Sequence, residues 1–458
     1  MISGPLRWLG AVLLASTVAP GVCAAAGMEN LPPWEQPAFQ KLSPAQQRAQ
    51  LEFSDRFDHR KARPVRQLRI LEANPAAYQN PDRLPPTLLL GDLLFHSPQI
   101  LGDHPALYGM SCASCHPGGS TTPDVDVGAQ CTDRPGNVDL RADFFTPLAD
   151  DGVYAPRNVP SLRGLRYTGP YDRDGSKASM REAIAAVIST EFQQQLRPDW
   201  LDALTAYIGE FDFVPNKQLD GLGRLTAAAS PAAHQGEKLF AEARPQFAGM
   251  SCATCHVQSS FFTDHRTHSF RHAAGRAVSV PEEAFKTPTL LDTVESAPYF
   301  FDGSAPTLAA AVAQIDAQHH LGLSAPEKAQ LTAYLEAVGA EDVPARVASL
   351  RERFDDSLAY LSLLLKSPSQ NDPQLWSLCL ETVRHDLRAA TLQARGTART
   401  AVEGPVAAYE GWVAMADHQK PSAANRAALG KLREQLLAAA RSASEEAVGP
   451  ASAHADRR

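Results

Sequence analysis

The sequence predicts a mainly α-helical protein with two tandem modules of one kind and a helical extension after them. Residues 109–116 return almost unchanged as residues 249–256. The pattern Pro-Tyr-x-x-Asp-Gly-Ser at 170–176 returns at 298–304, a spacing of 128 residues. Such ordered repeats indicate a tandem duplication. Between them, apolar residues recur every three or four positions, which is typical of helices with one buried face. These stripes are Met180, Ile184, Val187 and Ile188; Trp200, Leu204, Tyr207 and Ile208; Leu331, Tyr334, Leu335 and Val338.

Each repeated stretch contains Cys-x-x-Cys-His, the attachment signature of c-type haem. Cys112 and Cys115 are three positions apart on one helical turn, so each thiol can add to one haem vinyl group, and His116 can bind the iron. Two other interpretations are a thioredoxin-like redox pair and half of a zinc site. The repeat favours haem and predicts two cytochrome c-like haem domains, each with covalently bound haem c. The second copy holds Cys252, Cys255 and His256.

The start of the chain reads as a secretory signal over residues 1–26. Arg7 supplies the positive charge, residues 8–18 are apolar but too short to span a bilayer, and small residues at 24–26 suit cleavage. We therefore expect a periplasmic protein without a membrane span. The formal net charge of −8 gives no electrostatic basis for binding nucleic acid.

The repeats and the composition divide the rest of the chain. We expect an N-terminal wrap or linker at 27–87, the first haem domain at 88–225 and the second at 226–340. A helical extension of unknown role follows at 341–447, and a disordered tail at 448–458. Outside the two motifs and the signal, Cys131 and Cys379 remain. They could pair in an oxidising compartment, or both could be buried thiols.

The two motifs, together with residues 285–290 and 298–304, resemble the bacterial di-haem cytochrome c peroxidase family, which includes the MauG-like protein-oxidising enzymes. The resemblance covers about residues 88–339. It implies that the first haem is the peroxide site and that the second is six-coordinate and handles electrons. It also implies a calcium ion between the domains, bound by Asn158 and by the backbone carbonyls of Ser296 and Pro298. Glu191 falls where the family keeps its peroxidatic glutamate.

The sequence departs from the family at four positions. Ala183 replaces the active-site glutamine, and Arg173 replaces the tryptophan that lies between the haems. Phe301 replaces the histidine of the family's Pro-Tyr-Phe-His-Asp-Gly, and Ile315 stands near the distal ligand of the second haem. These changes weaken the case for ordinary peroxidase turnover and for hole transfer through tryptophan.

The distal ligands decide between an enzyme and an electron carrier. Between residues 117 and 233 there is no histidine, and Met180 lies on an apolar stripe, so the first iron is expected to keep an open position. Glu191 could then move a proton during O–O cleavage, or it could simply end its helix in water. His319 and His320 lie about one turn past Ile315, so either could bind the second iron.

Two functions are compatible with this pattern. The first is a peroxidase-like oxidoreductase that uses hydrogen peroxide and exchanges electrons with a small cytochrome or cupredoxin, or oxidises a protein substrate. The alternative is a di-haem electron-transfer protein without peroxidase activity. The missing glutamine and tryptophan favour the carrier, whereas the open first iron favours the enzyme.

Overall fold

The computed structural model describes residues 84–107, 109–121, 136–140, 157–270, 283–340, 350–367 and 369–443. The fold is mainly helical, as the sequence predicts. The expected signal, nearly all of the N-terminal wrap, Cys131 and the tail lie outside the described residues. Within the described part of the chain, no helix is long and apolar enough to cross a membrane.

The described helices and strands fall into three groups along the chain. In the first domain they are α1 (Pro86–His96), α2 (Asp103–Leu107), α3 (Cys112–Cys115), β1 (Asn137–Val138), β2 (Arg157–Asn158), α4 (Met180–Ala186) and α5 (Pro198–Ile208). In the second they are α6 (Pro231–Ala241), α7 (Cys252–Cys255), β3 (Thr267–Phe270), β4 (Glu283–Lys286), α8 (Leu308–His319) and α9 (Ala325–Val338). The extension has α10 (Leu350–Leu365), α11 (Pro373–Gln393), α12 (Gly396–Val413) and α13 (Ala423–Ser442).

Each haem domain is built on one close crossing of two helices. In the first domain, α1 crosses α5, and a β-carbon on Gly91 would collide with the backbone of Ala203 and the side chain of Tyr207. In the second domain, α6 crosses α9, and Gly236 meets Tyr334 in the same way. Glycine permits this approach because it has no side chain. Tyr207 and Tyr334 are both fully buried, so their repeated sequence position reflects a shared core contact.

The extension packs as part of the first domain's core. Phe354, Leu358 and Trp376 of α10 and α11 are fully buried, and they belong to one apolar cluster with Leu94 and Phe95 of α1. The second domain has a separate cluster around Phe240, Val312 and Tyr334. The extension is therefore a cover for the first domain in particular.

Cys379 of α11 lies in this shared core as a free, buried thiol. Burial raises its pKa above the usual range of a cysteine. Of the two alternatives for this residue, the structure has the buried thiol and not a disulfide.

Candidate functional site

The first motif forms a single helical turn, α3, which places Cys112 and Cys115 on one side. Its start is fixed by a capping box, in which the Ser111 backbone N–H donates to the Ser114 hydroxyl at 3.0 Å. Burial raises the pKa of both thiols to about 12. A thioredoxin-like redox pair needs a lowered thiol pKa, so this environment argues against that interpretation.

His116 ends the same turn in a buried position. Burial lowers its pKa to about 4, although backbone groups of Pro160 and Ser120 act in the opposite direction. Within the described residues, its Nδ1 is buried and has no well-formed hydrogen bond. The imidazole is therefore neutral at neutral pH, which is the form that binds a metal ion.

The second motif repeats this geometry in α7. The capping residues are Ser251 and Thr254, joined by a 3.0 Å hydrogen bond from the Ser251 N–H to the Thr254 hydroxyl. The His256 Nδ1–H donates to the Phe262 carbonyl at 3.1 Å, and burial lowers the pKa of this imidazole. Such a bond fixes the ring so that the opposite nitrogen, Nε2, faces a metal.

A structural zinc site receives little support. In the described residues, the one group with metal-ligand spacing is Cys255, Asp264 and His268, whose donor atoms lie within 4.8 Å of one another. This group takes a single thiol from the second motif and none from the first. The paired thiols, neutral imidazoles and repeated capping therefore fit two haem c groups better than one shared zinc ion.

The residues expected to bind calcium lie where the domains meet. The Asn158 Nδ2 donates to the Pro298 carbonyl at 2.6 Å, and the Asn158 N–H donates to the Phe301 carbonyl at 2.8 Å. In the described residues, the Asn158 Oδ1 is buried and unpartnered. Ser296 lies two residues before Pro298, and its hydroxyl donates to the Asp292 carbonyl at 3.0 Å. The structure thus brings Asn158 and Pro298 into contact.

Glu191 ends a π-helical turn, Val187–Glu191, that continues α4. Single π turns inside α-helices are frequent at functional sites. The side chain is half-buried, so it is neither fully enclosed nor a freely solvated helix end. Met180 lies at the start of α4, and its terminal methyl group packs against Gly209, which agrees with a core role.

His319 and His320 differ in their surroundings. His319 ends α8, is half-buried and packs edge-on against Phe247 with ring centroids 4.8 Å apart. Burial and the neighbouring His320 lower its pKa. His320 is exposed and caps the helix in a left-handed conformation. Phe247 packs in the same apolar cluster as Cys252, so His319 is the better placed of the two.

Arg173, at the family's tryptophan position, lies between two aromatic rings of the second domain. Its guanidinium is 5.1 Å from the Phe285 ring centre and 5.4 Å from that of Phe301. The charge–aromatic attraction makes Arg173 a contact between the domains. Arg173 and Phe301, the residues at which the sequence departs from the family's tryptophan and histidine, therefore contact each other.

Two contacts were not foreseen from the sequence. Asn137, opposite Asn158 on β1, donates from Nδ2 to the Asp302 carbonyl at 2.7 Å. A β-carbon on Gly109, just before the first motif, would meet the imidazole of His385 in the extension. The contact of Asn137 with Asp302 could have been predicted from the repeated Asp-Gly turn at 302–303. No sequence signal relates Gly109 to a residue so distant in the chain.

The tandem helical domains and their twin motifs define a di-haem redox protein of the cytochrome c type. Residues 231–358 match the family model of the di-haem cytochrome c peroxidases, which covers the second motif and the start of the extension. The family resemblance expected from the sequence is confirmed over these residues.

Individual relatives are more distant. The chain is 24% identical over 247 residues to the hydrazine synthase subunit gamma of Kuenenia stuttgartiensis, covering 43% of this chain and 62% of that subunit. It therefore spans less than two thirds of that relative. A xenon-pressurised Kuenenia stuttgartiensis hydrazine synthase structure matches with a TM-score of 0.40 and 24% identity, over 55% of this chain and 87% of that one. A MauG-like protein associated with microbial copper homeostasis matches with a TM-score of 0.38 and 18% identity, over 56% and 88%.

Proposed function

We propose that this protein is a periplasmic di-haem oxidoreductase in which the first haem reacts with hydrogen peroxide and the second exchanges electrons with a partner. The observation that carries the proposal is the unequal enclosure of two nearly identical motifs. Met110 is 1% exposed under the extension, whereas its counterpart Met250 is 36% exposed. A peroxide site must exclude other reductants, and an electron-entry site must be reached by a partner.

In this proposal Cys112 and Cys115 hold the first haem by thioether bonds, and His116 is its iron ligand. Cys252, Cys255 and His256 do the same for the second haem. Bound in this way, the haems supply the electron storage that the side chains lack. The lowered pKa values of both histidines keep their imidazoles ready for iron without competition from protons.

Glu191 is the proposed proton carrier at the first haem. Its half-buried position at the end of the π turn leaves the carboxylate able to receive a proton from peroxide and to return it to the departing oxygen. His319 is the proposed second ligand of the second iron, held by its contact with Phe247. His320 serves as the helix cap and is the weaker candidate.

Asn158, Pro298 and Ser296 are proposed to bind calcium at the domain junction. The Asn158 amide can be flipped, because its oxygen and nitrogen occupy equivalent positions. Its Oδ1 would then lie beside the Pro298 carbonyl oxygen, where Nδ2 lies now. Two oxygens at this separation suit a cation that prefers oxygen ligands. Calcium would then fix how the two haem domains face each other.

The partner is proposed to be a small cytochrome or cupredoxin, or a protein whose side chain is oxidised. Met250 and Phe261, which precede and follow the second motif, are exposed apolar side chains. Partly apolar contact patches are typical of short-lived redox encounters.

The test is a spectroscopic titration of the purified holoprotein with hydrogen peroxide. We expect one high-spin and one low-spin ferric haem, with the high-spin component alone lost on adding peroxide. Glu191→Gln should slow this reaction about 100-fold, as expected for the loss of a general acid–base group. Glu182→Gln, at an exposed carboxylate in the first turn of α4, is the matched control. Two low-spin haems that ignore peroxide would instead support the electron carrier.

Calcium is tested separately by metal analysis after dialysis against a chelator. Wild-type protein should lose about one calcium ion and shift its haem spectra, with recovery on adding calcium back. Asn158→Ala should retain no calcium. A calcium content that Asn158→Ala leaves unchanged would remove these residues from the site.

A further inference from the structure

An aromatic stack joins the two haem domains. The rings of Tyr167 and Phe261 are parallel, with an interplanar angle of 11° and centroids 4.6 Å apart. Phe213 extends the group, with its centroid 6.2 Å from Tyr167 and 5.9 Å from Phe261. Tyr167 and Phe213 belong to the first domain and Phe261 to the second, so the stack crosses the junction.

Each end of the stack leads to a proximal histidine. Phe261 directly precedes Phe262, whose carbonyl accepts the hydrogen bond from His256. On the other side, Gly119 donates to the His116 carbonyl at 3.1 Å and accepts from the Leu162 N–H at 2.7 Å. Leu162 lies shortly before the helical turn Leu165–Tyr167, which ends at the stacked tyrosine. Short runs of chain and these hydrogen bonds therefore connect the stack to the loops that follow both proximal histidines.

Phe261 ends the short helical turn Gln258–Ser260 in a left-handed backbone conformation. Phe261 and Phe262 both have positive φ, 55° and 56°, which non-glycine residues rarely adopt. Phe262 is buried, but Phe261 remains 39% exposed. An exposed apolar ring in an unfavourable backbone conformation gains little from burial. Outliers of this kind are found at functional sites.

Tyr167 also has a proton acceptor. Its hydroxyl donates to the Asp212 Oδ2 at 3.2 Å, and the Phe213 N–H holds the other carboxylate oxygen at 2.9 Å. A phenol that loses an electron becomes strongly acidic, so a nearby carboxylate makes its oxidation easier. Tyrosine with a fixed base is therefore suited to one-electron transfer.

We infer that Tyr167 is the redox relay between the two haems, taking the place that Arg173 cannot fill. Tyr167 gives one electron towards the first haem after its oxidation by peroxide, while its phenolic proton passes to Asp212. The resulting tyrosyl radical takes one electron from the side of the second haem and recovers the proton from Asp212. The net change is one electron moved from the second haem to the first. The oxidant is the one named in the proposed function, on which this step rests.

The test uses photo-oxidation of the holoprotein by a ruthenium tris-bipyridyl sensitiser with a sacrificial electron acceptor, followed by rapid freezing and EPR. Because the sensitiser replaces peroxide, the result does not depend on whether peroxide is a substrate. Wild-type protein should give a tyrosyl signal, and Tyr167→Phe, which keeps the stacked ring, should lose it. Asp212→Asn should lower the radical yield about tenfold or more, because the base is missing.

Tyr299→Phe is the matched control. The Tyr299 hydroxyl donates to the Thr293 carbonyl at 2.9 Å, and a carbonyl cannot take up the proton, so this variant should keep the wild-type signal. A signal that survives in Tyr167→Phe, or no tyrosyl signal in wild-type protein, would overturn the inference. If photo-oxidation gives the Tyr167 radical but peroxide produces no change in the haem spectra, the proposed function fails, while Tyr167 is still the oxidisable residue at the domain junction.

Discussion

The two haem motifs have nearly the same sequence and quite different surroundings. Before the first, a β-carbon on Gly109 would meet the His385 imidazole, and Met110 is buried. Before the second, a β-carbon on Gly249 would have nothing within 4 Å, and Met250 is partly exposed. The capping serines follow the same trend, since Ser111 is buried and Ser251 is half-buried. Local sequence therefore sets the haem-binding turn, and a distant part of the chain sets its access to solvent.

The difference assigns a role to the extension. Its four helices add their apolar residues to the core of the first domain, and none of them appears in the second domain's cluster. A duplicated pair of domains has been made unequal by covering one of them. In the proposed function, this cover keeps other reductants away from the first haem.

The largest expected effect comes from opening the cover. Trp376 is fully buried in α11, and its indole N–H donates to the His418 carbonyl at 2.8 Å. Trp376→Ala should lower the free energy of unfolding by about 3–5 kcal/mol, measured by urea denaturation. It should also perturb the spectrum of the first haem and leave that of the second unchanged.

Trp412→Ala is the control for this prediction. Trp412 is half-buried and stacks on His418, with centroids 4.7 Å apart, so its removal should cost about 1 kcal/mol. If Trp376→Ala unfolded the extension in a separate transition with the first haem unaltered, the extension would not be the cover of that domain.

The next largest effect is the difference in stability loss between Gly109→Ala and Gly249→Ala. Both have positive φ, 67° for Gly109 and 77° for Gly249, so alanine is strained at either site by about 1 kcal/mol. Only Gly109 also faces a side chain, and pushing the buried His385 aside should add about 2 kcal/mol. Denaturation of Gly109→Ala and Gly249→Ala measures the difference. Equal losses of stability would mean that the two motifs are equally open.

These comparisons show where sequence reasoning succeeds and where it stops. The cysteine spacing predicts α3 and α7 because it is local, and the apolar stripes around Leu204 and Leu331 predict α5 and α9 by their period. The proximity of Asn158 and Pro298 could be predicted only from the family resemblance. The contact of His385 with Gly109 joins residues far apart in the chain, and no periodicity or motif carries that information. The stack of Tyr167 on Phe261 depends on the same long-range packing.

A third comparison concerns the two histidines at the end of α8. His319→Ala should convert the second haem from low to high spin, because it removes the proposed ligand packed against Phe247. His320→Ala should leave the spin state unchanged, since this exposed residue caps the helix. Ferric EPR spectra of both variants measure this. A low-spin second haem in His319→Ala would remove His319 from the iron, and a high-spin one in His320→Ala alone would exchange their roles.

The smallest expected effect lies between the two domains, at Lys286. Its ammonium group donates to the Thr168 carbonyl at 3.1 Å, and burial lowers its pKa from 10.5 to about 8, although Asp172 opposes the shift. Below pH 8 the folded and unfolded chains are both protonated here, so the burial penalty is complete. Between pH 8 and 10.5 the unfolded chain holds the proton more tightly, so stability should rise with pH.

Because Lys286 is only half-buried, solvent screening reduces this gain to about 1 kcal/mol. Lys286→Met should remove the rise, which is measured by urea denaturation at about pH 8 and about pH 10. Lys177→Met, a change at a lysine of the neighbouring loop, should retain the wild-type dependence. If Lys286→Met kept the same rise with pH, this lysine would not be the source of it.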